Sequence, residues 1–283
     1  MTGGTGYAFA ALVCYGLGDF IYKNATAAGV KPHHFLMGQA WCFTPVAIVY
    51  AWATGALAIH PSTAWGGLAG LFFFIGFYNF LRSLAGGSVS VSAPVFRLNF
   101  FITAILAITV LGEPVRLAMP VALVLALAAI WLLLGGNARG KRPEFDRRAL
   151  GAVLVATLAT GIANFCHTIG LRHGALPETL LAAQATVFIV LATAFVRIVD
   201  GKVAPPAMIW KHTAAAAAVL IVAFLFMLHG VALGPASVLV PIAQMGFVVP
   251  AALGMLVLRE PMTARKAAGL VAALGALAAL ALG

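Results

Sequence analysis

Charge is what this sequence has least of. Only 8 % of its 283 residues are Asp, Glu, Lys or Arg, and just 7 are acids. A soluble globular chain carries about 25 %. So little charge cannot cover a water-facing surface, which excludes an ordinary cytosolic enzyme. Three cysteines without a C-x-x-C pair exclude a disulfide framework and a thiolate metal knuckle. Cys14, Cys42 and Cys166 read as inert core. H-E-x-x-H, G-x-S-x-G and Walker A are also missing, so zincin, nucleophile-elbow and ATP-driven chemistry are not expected. The chain is read as a non-enzyme with no metal and no cofactor.

What is present is apolar. Hydrophobic residues make up 63 %, and mean hydropathy is +1.05. That excludes disorder and makes lipid the fitting solvent. A spanning helix needs about 20 mostly apolar residues. Ten such segments are predicted, at 7–26, 34–54, 65–85, 89–111, 115–134, 150–171, 179–199, 208–229, 236–258 and 264–282. The fold class is therefore an all-α integral membrane protein.

The charged stretch from Arg139 to Arg148 falls midway along the chain. A basic run can touch nucleic acid, but beside a membrane it reads as a topology signal. Of the 17 cations, 14 fall on the connector's side of the bilayer and 2 on the other, with Arg97 inside a span. The positive-inside rule then puts the connector in the cytoplasm and both termini outside. The expected setting is a bacterial inner membrane. The expected partners are lipid and a small-molecule substrate, not nucleic acid. The chain is expected as a monomer or weak homodimer.

A repeat runs through the sequence. An offset of 145 aligns Gly16–Phe20 with Gly161–Phe165, Gly29 with Gly174, Pro32 with Pro177, and Gln39 with Gln184. An offset of 147 aligns Ser90 with Ser237, Pro94 with Pro241, and Glu113-Pro114 with Glu260-Pro261. The organisation read from this is a first five-helix repeat at 1–135, a basic connector at 136–149 and a second repeat at 150–283. An odd number of spans inverts the second copy. Inverted repeats place substrate sites near the bilayer midplane, at the interface of the halves.

Buried polar residues follow the repeat. Asp19 is the one acid well inside a predicted span. Tyr15, Asp19, Tyr22 and Lys23 share a helix face, and their counterparts are Thr160, Asn164, His167 and Thr168. This stripe reads as two walls of one cavity, or as a polar seam between helices. Arg97 lies at mid-depth opposite its counterpart Gln244. It either binds substrate or neutralises Asp19. Pro94 and Pro241 are expected to break helix hydrogen bonds at depth, which frees carbonyls for water or ligand. Asn79 and Arg82 lie in the third span, where Arg82 can also snorkel to the interface. Glu113 and Glu260 precede prolines that start the next helix, and read as dipole caps for it. The candidate substrate residues are thus Asp19, Tyr22, Asn79, Arg82, Arg97, Asn164, His167 and Gln244. Asp19 and His167 are candidates for proton coupling.

The segments Leu111-Gly112-Glu113-Pro114-Val115 and Leu258-Arg259-Glu260-Pro261-Met262 each close a fourth span. With the small-residue run from Ser88 to Pro94 and the aromatic, Gly-bearing first span, they resemble the drug/metabolite transporter superfamily, of the EamA type. The resemblance covers almost the whole chain. It implies a transporter with a central cavity lined by helices one, three and four of each half, and it leans toward export. Buried cations outnumber the one buried acid. That favours an anionic or zwitterionic solute, such as an amino acid, held by Arg. The alternative is a proton-coupled exporter of organic cations that uses Asp19.

Overall fold

The computed structural model describes residues 3–58, 60–86, 95–114, 118–134, 147–249 and 264–282. The predicted connector up to residue 146, with Ser90, Pro94, Glu260, Pro261 and the Lys23 side chain, lies outside the described residues. Among the described residues there are helices and no strand. The α-helices are α1 (Gly3–Ala27), α2 (Pro32–Ala53), α3 (Ala64–Gly86), α4 (Asn99–Leu111), α5 (Ala118–Leu134), α6 (Arg147–Arg172), α7 (Pro177–Asp200), α8 (Trp210–Leu233), α9 (Ala236–Gln244) and α10 (Ala264–Leu282).

Among the described residues, five segments are long and apolar enough to cross a membrane: Pro32–Ala53, Pro61–Ser83, Arg147–Arg172, Pro177–Asp200 and Ala207–Leu233. The expectation of ten spans is thus met by five. α1 has the length, at 25 residues, but its glycines and Asp19 dilute its apolarity. The predicted fourth and ninth spans are interrupted. Leu98 donates to the Val95 carbonyl and accepts from Phe101, both i→i+3 bonds, so the α-ladder breaks just after Arg97. α9 ends at Gln244 and passes into a 3₁₀ turn, Met245–Phe247. These breaks fall at repeat-equivalent positions. Pro241 lies inside α9, and the ladder gives way three residues later.

The turn chemistry repeats as the sequence does. α1 ends with Gly29 at φ 77° and α6 is followed by Gly174 at φ 85°. In both, the next amide reaches back to close the last turn: Val30 to Ala25 and Ala175 to Gly170. That is the Schellman arrangement, which needs a left-handed residue that glycine supplies without strain. Each turn then delivers a proline at the first position of the next helix, Pro32 for α2 and Pro177 for α7.

The layout of large and small side chains fits a lipid solvent. Trp52, Ile198, Val271, Val124 and Trp131 are each at least 65 % exposed. Facing water, so much large apolar surface would drive association. Inside, alanines such as Ala8, Ala11, Ala69 and Ala163 let backbones approach closely. The chain is a multi-pass membrane protein.

The packing pairs map onto one another when the halves are exchanged. α3 packs on α6 as α8 packs on α1. α2 packs on α8 as α7 packs on α3, and α4 on α6 as α9 on α1. The pairs α2–α7, α4–α9 and α5–α10 map onto themselves. Two close approaches show the same exchange. A Cβ on Gly16 would lie 2.4 Å from the Gly246 carbonyl oxygen, and one on Gly161 would lie 2.8 Å from that of Asn99. Those four positions are repeat equivalents.

Candidate functional site

A narrow cleft, partly open to solvent, lies where α1, α3, α6, α8 and the two interrupted segments meet. Its polar lining is Tyr15, Asp19, Tyr22, Arg97, Thr160, Asn164 and Gln244. Phe73, Phe77, Phe96, Leu220 and Phe224 form the apolar wall. Each polar group is placed by local chain geometry. Tyr15, Asp19 and Tyr22 share a face because α1 returns to the same direction every three or four residues. Thr160 and Asn164 do the same on α6. Arg97 and Gln244 sit at the two ladder breaks.

Arg97 is the electrostatic centre. It is 6 % exposed, and its guanidinium makes an ion pair with the Asp19 carboxylate. Its Nη1 also donates to Gln244 Oε1 at 3.4 Å, which joins the two break points across the halves. The Asp19 side chain keeps 30 % of its surface exposed. The pair is therefore lopsided: a buried cation held by a carboxylate that still meets the cleft. The sequence left open whether Arg97 neutralises Asp19 or binds a ligand. The structure pairs them and leaves the carboxylate side accessible.

Other predicted residues are distributed unevenly. Tyr22 lines the cleft and donates to Gln39 Oε1 at 2.6 Å. Asn164 Nδ2 lies 3.5 Å from Asn99 Oδ1, at the edge of hydrogen bonding. His167 is buried just off the cleft, with ring centroids 5.5 Å from Phe73 and 6.4 Å from Phe224. His167 Nε2, Gln184 Oε1 and Thr160 Oγ1 are buried without a hydrogen-bond partner among the described residues. Asn79 spends its amide on its own helix, donating to the Ile75 carbonyl at 2.8 Å. Arg82 is exposed, as snorkelling expects. Neither Asn79 nor Arg82 is among the cleft residues. α3 presents Phe73 and Phe77 there instead.

The decisive likeness lies in the first half, where residues 2–135 match the model of the EamA-like transporter family. Over this half the chain is similar to the EamA-like transporter family. A protein of known crystal structure superposes on 99 % of this chain and 96 % of its own length, with a TM-score of 0.81 at 18 % identity. That likeness speaks for a shared fold over the whole chain. None of the curated proteins matches the sequence significantly.

The EamA-like chain also holds functional groups that the pattern did not reveal. Asn99 is fully buried, but its counterpart is Gly246, so the repeat gave no polar signal. Glu113 caps the dipole of a helix in the other half. Its carboxylate accepts from the Ala236 and Ser237 amides of α9, at 3.2 and 2.9 Å. Arg172, from the end of α6, donates to Glu113 at 2.7 Å and to the Leu111 carbonyl at 3.1 Å. The glutamate thus ties the end of α4 to the start of its repeat equivalent in the other half. That partner is 123 residues away in sequence, beyond the reach of a local capping argument.

Proposed function

We propose that this EamA-like chain is a secondary transporter that moves a small anionic or zwitterionic metabolite, such as an amino acid, by alternating access. The observation that carries this reading is Arg97, buried at a ladder break and paired with a carboxylate that is still open to the cleft. A substrate carboxylate takes the place of Asp19 on the guanidinium, with bonds of the same charge-assisted kind. Gln244, Asn164 and Tyr22 offer neutral hydrogen bonds around it, and the phenylalanines of α3 and α8 exclude water. Interrupted helices are where transporters commonly bind their cargo.

The alternating-access part rests on the repeat. The exchange-symmetric packing and mirrored ladder breaks support ten spans, built as inverted five-helix halves at 1–135 and 150–283 around the connector at 136–149. Such halves can trade conformations and open the cleft to either face in turn. The cation bias supports a cytoplasmic connector with both termini outside, in a bacterial inner membrane. We read the chain as an exporter and a monomer or weak homodimer. Asp19 is the proton-coupling group that faces the cleft, and His167 is the second candidate behind it.

The test is flux of an amino-acid panel into proteoliposomes, wild type beside Arg97→Ala. A carboxylate substrate should be carried by the wild type and lost in the variant. Undiminished flux of that substrate in the variant overturns the assignment. The aromatic wall favours one other reading, proton-coupled export of organic cations through Asp19. Under that reading Asp19→Asn abolishes resistance to quaternary ammonium compounds, and intact resistance ends it.

A further inference from the structure

Outside the residues that line the cleft, the first turn of α2 meets the last turn of α7. His33 Nε2 and His34 Nε2 lie 3.2 and 2.6 Å from one oxygen, Asp200 Oδ2. The ligand atoms of the three residues all fall within 4.8 Å of one another. The side chains are only 14, 11 and 24 % exposed. Three convergent donors of this kind, two imidazole nitrogens and a carboxylate oxygen, match the ligand preferences of divalent first-row transition ions. The hard ions Mg²⁺ and Ca²⁺ prefer oxygen alone.

Two observations separate this cluster from an ordinary polar contact. The first comes from the repeat. The α2–α7 joint maps onto itself when the halves are exchanged, so its other end shows what the joint itself requires. There Thr179, the counterpart of His34, donates one hydroxyl to the Ala56 carbonyl. Gly55 stands where Asp200 would be. One hydroxyl therefore closes the equivalent joint, and two imidazoles with a carboxylate exceed that need. The second is electrostatic. The histidines sit at a helix N-terminus and the aspartate at a helix C-terminus. Both helix dipoles oppose these placements: imidazolium charge is disfavoured at the first, and a carboxylate at the second. A divalent ion beside the carboxylate offsets the second of these conflicts, at the C-terminus of α7.

We propose that His33, His34 and Asp200 form a binding site for a divalent transition-metal ion of the Zn²⁺ type, outside the transport cleft. The ion clamps the start of α2 to the end of α7, across the two halves of the chain. Three protein ligands leave a fourth position for water.

The test uses the full chain purified in detergent, with any affinity tag removed. Co²⁺ serves as the visible probe and Zn²⁺ as its competitor. The expected result is one Co²⁺ per chain, displaced by Zn²⁺, and a Zn²⁺-induced rise in melting temperature. His34→Ala and Asp200→Asn should each weaken Co²⁺ binding by at least about tenfold, the scale on which even supporting residues act. His212→Ala, outside the cluster, should bind as the wild type does. Asp200→Asn keeps the side chain's shape and an oxygen acceptor, so it reports on the charge even if the alanine variant folds poorly. Absence of saturable Co²⁺ binding to the wild type overturns the proposal. So does binding that survives in Asp200→Asn and His34→Ala alike.

Discussion

Removing the two members of the central ion pair one at a time should have unequal effects, and the structure sets the inequality. Arg97 is 6 % exposed, while the Asp19 side chain keeps 30 % of its surface. Asp19→Asn strands a guanidinium with almost no access to water. Breaking a buried pair from one side costs about 3–5 kcal/mol. Asparagine returns one neutral hydrogen bond, so the lower end, about 3 kcal/mol, is expected. Arg97→Gln strands a carboxylate that water in the cleft can solvate, and the new amide still reaches toward Gln244. A cost of about 1–2 kcal/mol follows, the size of one compromised polar contact. The double variant should recover much of the larger loss. The assay is the melting temperature of the four proteins in one detergent, where about 1 kcal/mol corresponds to roughly 2–4 °C. A second readout follows the chemistry. A small carboxylate added to Asp19→Asn should restore stability there more than in wild type, because it fills the vacated place on the guanidinium. The reasoning is refuted if Arg97→Gln is the more damaging change. It is also refuted if the two substitutions add within about 0.5 kcal/mol, which marks independent sites.

Other outcomes can be checked in the same format. Glu113→Gln should lower stability by about 1.5–3 kcal/mol, since charge-assisted bonds to two α9 amides and to Arg172 weaken together; an unchanged melting temperature would deny the cross-half cap. Gly16→Leu should abolish well-folded protein because even its Cβ would fall 2.4 Å from the Gly246 carbonyl oxygen, whereas Gly3→Ala meets open space and should behave as wild type. Size-exclusion profiles separate the two. Tyr22→Phe removes the hydroxyl that donates to Gln39 at 2.6 Å and should cost about 1 kcal/mol. Flux of a substrate that contacts this hydroxyl should also fall in that variant.

The helical fold and several of its turns were legible because their signals are periodic or local. The glycine and proline punctuation at Gly29–Pro32 and Gly174–Pro177 foretold two turns that the backbone builds alike. The i, i+4, i+7 stripe on α1 foretold that Tyr15, Asp19 and Tyr22 share a cavity wall. The repeat named Gln244 as the equivalent position of Arg97, but it did not say that the two side chains meet, as they do at 3.4 Å. What the sequence hid depends on contacts between distant segments. Glu113 was read against the helix after it, because nothing local points to Ala236 and Ser237. In α9 the α-ladder gives way to a 3₁₀ turn three residues past Pro241, a shift that no local signal marks. Arg82 and Asn79 have chemistry suited to a site, yet α3 turns Phe73 and Phe77 toward the cleft. His33, His34 and Asp200 converge only once α2 and α7 are packed side by side.

The central ion pair has an electrical consequence. Asp19 on α1 and Arg97 just before α4 both belong to the first half, and together they carry no net charge. A rocking motion of that half therefore moves a dipole through the membrane field, not a charge. Each elementary charge that crosses is worth about 2.3 kcal/mol per 100 mV, so the distinction is large. Under the proposed alternating access, an empty carrier with Asp19 ionised would return without feeling the membrane voltage. A zwitterionic cargo would leave the cycle equally indifferent to it. An anion moved outward without a proton would be driven by the inside-negative potential. Transport current against voltage thus reports the summed charge of the cargo and of any proton carried on Asp19.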